Sequence, residues 1–408
     1  MEKKKPDFFI MFTTRIVRLF CYGFLSVVLA LYLAQAGFAD QEIGLLFTLT
    51  LAGDAGITLW LTTSADRFGR KRTLLIGALL MIGAGLVFIF TKNPVLLMLA
   101  AIIGVISPSG NEIGPFLAVE QAGLTQLIPD KRRTQVFAWY NLAGSFATAT
   151  GALSGGWLAE FLQKSGVSAF ESYRSVLMGY AAGGAVLFIL FLFLSSTIEV
   201  PAEFLKMQVG KRTLGLHKSR KVVFKLASFF SLDAFAGGLI VQSMVAFWFY
   251  RKFGVQPGVI GSIFFAANVL AGISALLAGR LAKKIGLLNT MVFTHVPSNV
   301  LLILVPLMPT LPLAITMLLL RFSISQMDVP ARQSYTVALV DPDERSAASG
   351  VTAIARSVGA AISPSLTGIF LSVPSLLSLP FFLAGGLKIV YDVLVYRSFS
   401  KVKPPEEK

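Results

Sequence analysis

The chain has 408 residues, of which 55% are hydrophobic and 14% charged, and its mean hydropathy is +0.74. Because soluble domains usually carry about 25% charged residues, this composition excludes a water-soluble globular protein. The formal net charge of +15 does not indicate nucleic-acid binding, since the basic residues lie in short connectors between apolar runs.

Cysteine and histidine are too scarce for most catalytic sites. Cys21 is the one cysteine, so an internal disulfide or a cysteine-based metal cage is excluded. The two histidines, His217 and His295, form no HExxH motif, and no Gly-x-Gly-Asp context marks an aspartyl enzyme. We therefore expect a protein that is not an enzyme and has neither a metal nor a cofactor.

Apolar runs of about membrane-spanning length recur along the whole chain. Six precede a polar stretch, at 8–36, 41–65, 72–91, 95–128, 132–162 and 172–196. Six more follow it, at 221–250, 258–284, 288–308, 312–339, 345–371 and 376–397. The sequence predicts an all-α membrane protein of twelve transmembrane helices, with a first half at 1–196, a cytoplasmic linker at 197–220 and a second half at 221–408.

The basic connectors alternate along the chain. They are the N-terminus, 66–72, 129–133, 211–221, 280–284 and the C-terminal tail. The positive-inside rule places these segments, and both termini, in the cytoplasm, with Arg251 and Lys252 as the exception. We expect a multi-pass protein of the cell membrane that acts as a monomer.

A repeat relates the two halves. The stretch Pro129-Asp130-Lys131-Arg132 reappears as Pro342-Asp343-Glu344-Arg345, and the same spacing aligns Gly155 with Gly368. Transporter folds are built from duplicated halves, so the repeat favours pseudo-symmetric six-helix halves.

The connector after the second run carries a recognisable motif. Residues Thr62 to Arg72, TTSADRFGRKR, resemble the signature cytoplasmic loop of the major facilitator superfamily, with Thr62 where the family has glycine. A degenerate copy stands at Gly279 to Gly286, with Lys283 at the position of the acid. The resemblance covers essentially the whole chain and implies secondary active transport of a small molecule by alternating access.

The same loop predicts a conformational latch, which consists of Asp66, Arg67, Gly69 and Arg70. Asp66 can face the N-terminus of a neighbouring helix, while the two arginines can pair with nearby acids. Such a latch would favour one conformation of a transporter. The alternative is that the basic residues only set the topology.

The fifth run contains glycines that resemble part of the antiporter motif of the same superfamily. They are Gly144, Gly151, Gly155 and Gly156, with Ala152 where the motif has proline. The resemblance implies proton antiport. Small residues at such spacing also serve plain helix packing, so both interpretations stay open.

Ten charged side chains fall within the predicted spans. They are Arg15, Arg18, Asp54, Glu112, Glu120, Asp233, Arg321, Asp328, Arg332 and Arg356. Each unpaired charge near the bilayer centre costs about 2.5–3.5 kcal/mol on insertion scales, so we expect these side chains to face the protein interior and to pair. Arg18 with Glu120 is one expected pair.

Proton coupling is predicted at carboxylates near the midplane. Glu112 is the first candidate, because two prolines and two glycines at 107–115 should break the fourth helix around it, and no cation is expected at its depth in its own half. Asp54 is the second candidate, and Asp233 is included. The alternative for the fourth helix is a simple kink.

Polar and charged residues in the spans are the candidates for a substrate cavity. They are Arg18, Asn111, Glu120, Tyr140, Asn141, Gln242, His295, Arg321, Asp328, Arg332 and Arg356. Aromatic side chains such as Tyr140 can instead simply pack, and His295 can be a hydrogen-bonded packing residue rather than a proton relay.

The leading functional hypothesis is proton-coupled export of a small organic solute, with protons and the lipid bilayer as further partners and no nucleic acid. The alternative is uptake or exchange of an anionic metabolite, which depends on the cations Arg321, Arg332 and Arg356. A channel or a receptor fits the paired halves with central charges less well.

Overall fold

The computed structural model describes residues 4–112, 114–129, 133–199, 218–341 and 344–401. The side chains at positions 4, 5, 62–64, 66, 67, 133, 134 and 346 are outside that description. The regular secondary structure of the described residues consists of helices. Each helix follows one of the apolar stretches of the sequence, because a helix satisfies all its backbone hydrogen bonds internally in lipid.

Eight α-helices are described before residue 200. They are α1 (Lys4–Ser26), α2 (Leu29–Gln35), α3 (Asp40–Phe68), α4 (Arg70–Phe90), α5 (Pro94–Ile103), α6 (Phe116–Leu127), α7 (Arg133–Lys164) and α8 (Ala169–Leu192). Eight more lie in the described residues beyond 217. They are α9 (Arg220–Gly238), α10 (Gln242–Phe253), α11 (Pro257–Ile285), α12 (Leu287–Leu304), α13 (Leu311–Phe322), α14 (Asp328–Ala338), α15 (Arg345–Leu371) and α16 (Leu379–Phe399).

The predicted spans are recovered as helices. Nine of them correspond to helical stretches that, in the described part of the chain, are long and apolar enough to cross a membrane. The other three are the fourth, fifth and tenth spans. The fifth is the 32-residue helix α7, whereas the fourth consists of α5 and α6 and the tenth of α13 and α14.

The break predicted in the fourth span is present. No helix covers residues 104–112 or 114–115, and Gly110 and Gly114 there have φ angles of 69° and 77°. These angles lie in the left-handed region that glycine adopts at no steric cost. The glycines therefore turn the backbone, while Ser107 Oγ donates a hydrogen bond to the Asn111 carbonyl at 2.8 Å and stabilises the turn.

Three further spans were predicted as continuous helices, and this was wrong. The span 8–36 is interrupted between α1 and α2, where Ser243 Oγ donates a hydrogen bond to the Ser26 carbonyl at 2.6 Å. The span 221–250 is interrupted between α9 and α10, where Thr367 Oγ1 donates a hydrogen bond to the Leu239 carbonyl at 2.8 Å. The span 312–339 is interrupted between α13 and α14, where the Gln326 amide donates to Ser274 Oγ at 3.3 Å. Side chains from distant helices satisfy the freed backbone groups, so composition within the span does not show the break.

The first compact unit comprises Met1–Lys211 and Gln242–Phe265. Within it, α1 packs along α7. An added Cβ at Gly151 would meet the Phe20 carbonyl, and one at Gly155 would meet the Phe24 carbonyl. The glycines of the fifth span therefore allow close helix packing, as the packing interpretation predicts.

The second compact unit comprises Arg212–Val241 and Ala266–Lys408. Within it, α9 packs along α15, with Gly238 against the Ala360 carbonyl and Gly359 against the Ser231 carbonyl. Both units thus contain helices in close contact through glycine. The predicted linker lies mostly outside the described residues, and the boundaries at 196 and 221 stay a prediction.

Candidate functional site

Four charged side chains of the first unit form an ion-pair cluster, called here the first cluster: Arg15, Arg18, Glu112 and Glu120. The two Nη atoms of Arg18 donate to the two carboxylate oxygens of Glu120 at 2.8 Å each, and both side chains are fully buried. The predicted pair of Arg18 with Glu120 is therefore confirmed. Such a bidentate pair fixes the orientation of both side chains as well as their separation.

Glu112 is also part of the first cluster, which corrects the expectation that no cation lies at its depth. Its carboxylate accepts hydrogen bonds from Arg18 Nε at 2.7 Å and from Arg15 Nη1 at 2.8 Å. The position of a residue along its helix does not predict this contact. An arginine side chain is long enough to carry its guanidinium group away from its own Cα, here to the break between α5 and α6.

Side chains of α7 surround the first cluster. The Tyr140 hydroxyl donates to the Glu120 carboxylate, and the Tyr140 carbonyl accepts from Arg15 Nε at 2.8 Å. Asn141 Oδ1 accepts from Arg15 Nη2 at 3.2 Å. Two residues predicted to line a cavity therefore hold the cluster in place through Arg15 and Glu120.

Asp54 of α3 differs from the acids of the first cluster. Its Oδ1 accepts from the Gly114 amide at 2.6 Å and from Thr58 Oγ1 at 3.2 Å. Among the described residues it forms no ion pair. Its carboxylate is therefore attached to the broken segment of the fourth span by a neutral donor rather than by a cation.

A second cluster, in the second unit, is centred on the buried carboxylate of Asp233. Lys388 Nζ lies 2.5 Å from Oδ1, while Arg332 Nη1 and Arg356 Nη1 each lie 3.0 Å from Oδ2. Arg332 also pairs with Asp328 at 3.0 Å. Three predicted cavity residues and one predicted proton site thus belong to one network.

His295 lies at the edge of the second cluster. Its Nδ1 is 2.9 Å from Asp392 Oδ1, and its Nε2 is 3.8 Å from Asp233 Oδ1. Asn299 Nδ2 donates to Asp392 at 3.2 Å. The histidine is therefore held by hydrogen bonds, and it stands between two carboxylates.

Lys388 and Asp392 were missed by the sequence analysis. Both lie inside the predicted span 376–397, four residues apart, and both are buried. A lysine and an aspartate on one face of an apolar helix are a readable signal, since they are expensive in lipid unless paired. The count of ten charges within the spans was therefore too low.

Arg321 and Gln242 complete the predicted cavity residues. Gln242 Nε2 donates to Ser26 Oγ at 2.7 Å, which attaches α10 to α1 within the first unit. Arg321 forms no hydrogen bond through its side chain and no ion pair with a described residue, and its buried Nε has no acceptor.

The predicted latch is partly described. Gly69 has a φ of 96°, and the amides of Arg70 and Lys71 donate to the Glu199 carboxylate at 2.6 and 3.0 Å. The acid Glu199 therefore binds the N-terminus of α4, where the helix dipole favours negative charge. The side chains of Asp66 and Arg67 lie outside the described part of the chain.

Comparison with known proteins decides the family. The model of the Major Facilitator Superfamily matches residues 11–364 and 226–408. The chain belongs to the major facilitator superfamily. As a member of this superfamily it is a multi-pass membrane protein and a secondary transporter of a small molecule, not an enzyme.

Individual relatives agree with this family. The uncharacterized membrane protein YJR124C of Saccharomyces cerevisiae is 29% identical over 417 residues, which cover 95% of this chain and 93% of that protein. Among solved structures, a D-xylose-proton symporter matches with a TM-score of 0.73 at 14% identity, covering 98% of this chain and 99% of that one. A bacterial homolog of the human lysosomal transporter Spinster gives 0.70 at 18% identity, covering 96% and 94%. These structures show that the chain has the major facilitator fold.

Proposed function

We propose that this transporter moves a small organic solute in exchange for protons, and that Asp54 is the residue that carries the proton. One observation carries the proposal: Asp54 is a carboxylate within a membrane span whose described partners are a backbone amide and a hydroxyl. An ionisable residue at such a position is a functional candidate by default.

The other two proton candidates are engaged differently. Protonation of Glu112 would weaken charge-assisted hydrogen bonds to two arginines. Protonation of Asp233 would do the same to three cations. Protonation of Asp54 breaks no ion pair with a described residue, so its proton can enter and leave at a lower cost in interactions.

The hydrogen bond to Gly114 connects the proton to the conformation. Ionised Asp54 accepts strongly from the Gly114 amide, and a neutral carboxyl accepts more weakly. Gly114 adopts its φ of 77° beside Glu112, in the break of the fourth span. Protonation of Asp54 therefore weakens one contact of the broken segment, which contributes Glu112 to the first cluster. A transporter needs such a link if a bound ion is to change its conformation.

The direction, membrane and assembly are parts of the same proposal. Export is supported by the glycines of the fifth span, which resemble the antiporter motif. The alternating basic connectors support a cell membrane location with both termini in the cytoplasm. Each unit has its own charged cluster, which supports a monomer as the transporting species.

A proton-flux assay tests the proposal. Everted membrane vesicles that contain the protein are acidified inside, the gradient is followed with a pH-sensitive dye, and a library of metabolites and drugs is added. We expect some solute to collapse the gradient with the wild type. The Asp54→Asn variant should lose this response, while Glu112→Gln should retain it in proportion to its folded amount.

The exposed acid Glu171, at the start of α8, provides the matched control. Its partner is the half-buried Arg174 in the same helix, so Glu171→Gln should leave the solute response unchanged. A response of Asp54→Asn equal to that of the control, at equal protein amount, would contradict the assignment of the proton to Asp54.

A second candidate function is uptake or exchange of an anionic metabolite. It is supported by Arg356, whose side chain is 34% exposed although it pairs with Asp233. An anionic solute can compete with Asp233 for this guanidinium. Uptake of a labelled anionic solute by the same vesicles without an imposed pH gradient, and no uptake of neutral or cationic solutes, would favour this function.

A further inference from the structure

We propose that the solute carries an anionic group, a carboxylate or a phosphate, which binds to Arg321 and Ser325 at the break between α13 and α14. This inference rests on the proposed function, because it assigns the chemical class of the transported solute. Four cations of the second unit, Arg321, Arg332, Arg356 and Lys388, provide the starting point.

Three of these four cations already have a partner, since Arg332, Arg356 and Lys388 all contact Asp233. Arg321 alone pairs with no described residue, and its Nε is buried without an acceptor. The charges of Asp328 and Asp233 act on it from a longer distance, but both acids are in direct contact with Arg332. A buried N–H of a charged group without an acceptor is costly, so this site is incomplete as it stands.

Ser325 is a second, independent observation at the same break. Its side chain is buried, and its Oγ has no hydrogen-bond partner. The Ser325 amide donates to the Arg321 carbonyl at 2.9 Å, so the backbone turns between these two residues. Buried polar groups are normally satisfied, and two unsatisfied groups four residues apart indicate that a polar ligand occupies the turn in another state of the protein.

The geometry of Arg321 selects the type of ligand. The Phe322 ring lies 5.0 Å from the guanidinium carbon of Arg321 and packs against the group. The N–H groups of Arg321 donate in the plane of the guanidinium group, where a carboxylate or phosphate binds with two parallel hydrogen bonds. A hydroxyl such as that of Ser325 can donate a further bond to the same anion. A cationic solute would be repelled by this site.

Binding without any gradient tests this inference separately from proton coupling. The thermal stability of the purified full chain is measured with matched pairs of probes, each a carboxylic acid with its amide, and with organic phosphates and amines. A ligand that binds only the folded state raises its apparent stability. We expect a shift with some acids or phosphates, and none with the corresponding amides or with the amines.

The variants locate the site. Arg321→Gln should weaken the binding of an anionic hit by at least about tenfold, Ser325→Ala should weaken it less, and Arg321→Lys should retain a preference for the anion. Arg345→Gln, an exposed arginine of α15, is the control and should bind as the wild type does. The melting temperature without ligand shows that each variant is folded.

Three results would overturn the inference: no shift with any anion, hits confined to amides or amines, or an anionic hit that binds Arg321→Gln as tightly as the wild type. None of these results affects the role of Asp54, which is read from proton flux. Conversely, if Asp54→Asn keeps its solute-driven proton flux while Arg321→Gln loses the anion, the coupling proposal fails and this one stands.

Discussion

Asp233 and Glu120 show how single residues hold the buried charges of this transporter. Each carboxylate is buried, and each contacts more than one donor: three cations for Asp233, and Arg18, Thr14 and Tyr140 for Glu120. Removal of one partner from such a network leaves the others uncompensated in a medium of low dielectric constant. The loss in stability should therefore depend on how many partners remain.

This reasoning predicts different effects for two variants of the second cluster. Asp233→Asn leaves Arg332, Arg356 and Lys388 without their shared anion, so the free energy of unfolding should fall by about 3–5 kcal/mol. Lys388→Met leaves Asp233 with two arginines, so the loss should be smaller, about 1–3 kcal/mol. Thermal unfolding of the purified variants measures both. Equal losses would show that Asp233 is not the centre of the network.

A second residue prediction concerns the first cluster. Glu120→Gln keeps the size of the side chain but removes the anion that Arg18 contacts through both Nη atoms. The free energy of unfolding should fall by about 3–5 kcal/mol. Glu171→Gln serves again as a control, because exposed pairs contribute about 0–1 kcal/mol. The prediction fails if both variants melt at the same temperature.

Among the elements, the contact of α1 with α7 depends on glycine. A methyl group at Gly151 would meet the Phe20 carbonyl, so the two helices would have to move apart. Gly151→Ala should lower the free energy of unfolding by about 1–3 kcal/mol. Gly83 of α4 is the matched control, since nothing lies within 4 Å of an added Cβ there. Gly83→Ala should be neutral or slightly stabilising, and a similar loss in both variants would contradict the packing role.

The connection between α3 and α4 is the element where the latch is predicted. Asp66→Asn should lower transport and leave the amount of folded protein in the membrane nearly unchanged, because the latch biases conformations rather than holding the core. Glu199→Gln is a useful comparison, since it weakens the cap on the Arg70 and Lys71 amides and so acts on the stability of α4 as well. Normal solute-driven proton flux in Asp66→Asn would exclude the latch.

At the scale of the whole molecule, the sequence predicted the fold class correctly, but it predicted only one of the breaks within the spans. Apolar length and the motif at Thr62 to Arg72 sufficed for the fold, because membrane-spanning helices are local structures. The breaks within the predicted spans have two kinds of cause, local residues and contacts with distant ones. The break at Gly110 and Gly114 could be predicted from its own residues, whereas the break near Leu239 depends on Thr367, more than a hundred positions away.

The candidate site could be predicted less well than the fold, because it depends on contacts between residues that are far apart in the sequence. Buried charges can be counted in a sequence, but their partners depend on how far long side chains reach. Arg15 and Arg18 extend to Glu112, which the order of helices and residues does not show. The pairing of Arg18 with Glu120 could be expected from the sequence. That Arg321 forms no ion pair with a described residue could not be expected, because this depends on which partners the other charged residues contact.

The central claim is that Asp54 carries the coupling proton, and it is tested most directly by accumulation of the solute in reconstituted proteoliposomes. With a solute found by the screen, wild-type protein should accumulate it against its gradient when a pH gradient is imposed. The Asp54→Asn variant should lose this accumulation and keep solute counterflow, since exchange needs no net proton transfer. Glu112→Gln should keep both, scaled by its folded amount. If Asp54→Asn accumulates the solute as the wild type does and Glu112→Gln does not, the account is contradicted and Glu112 is the residue that carries the proton.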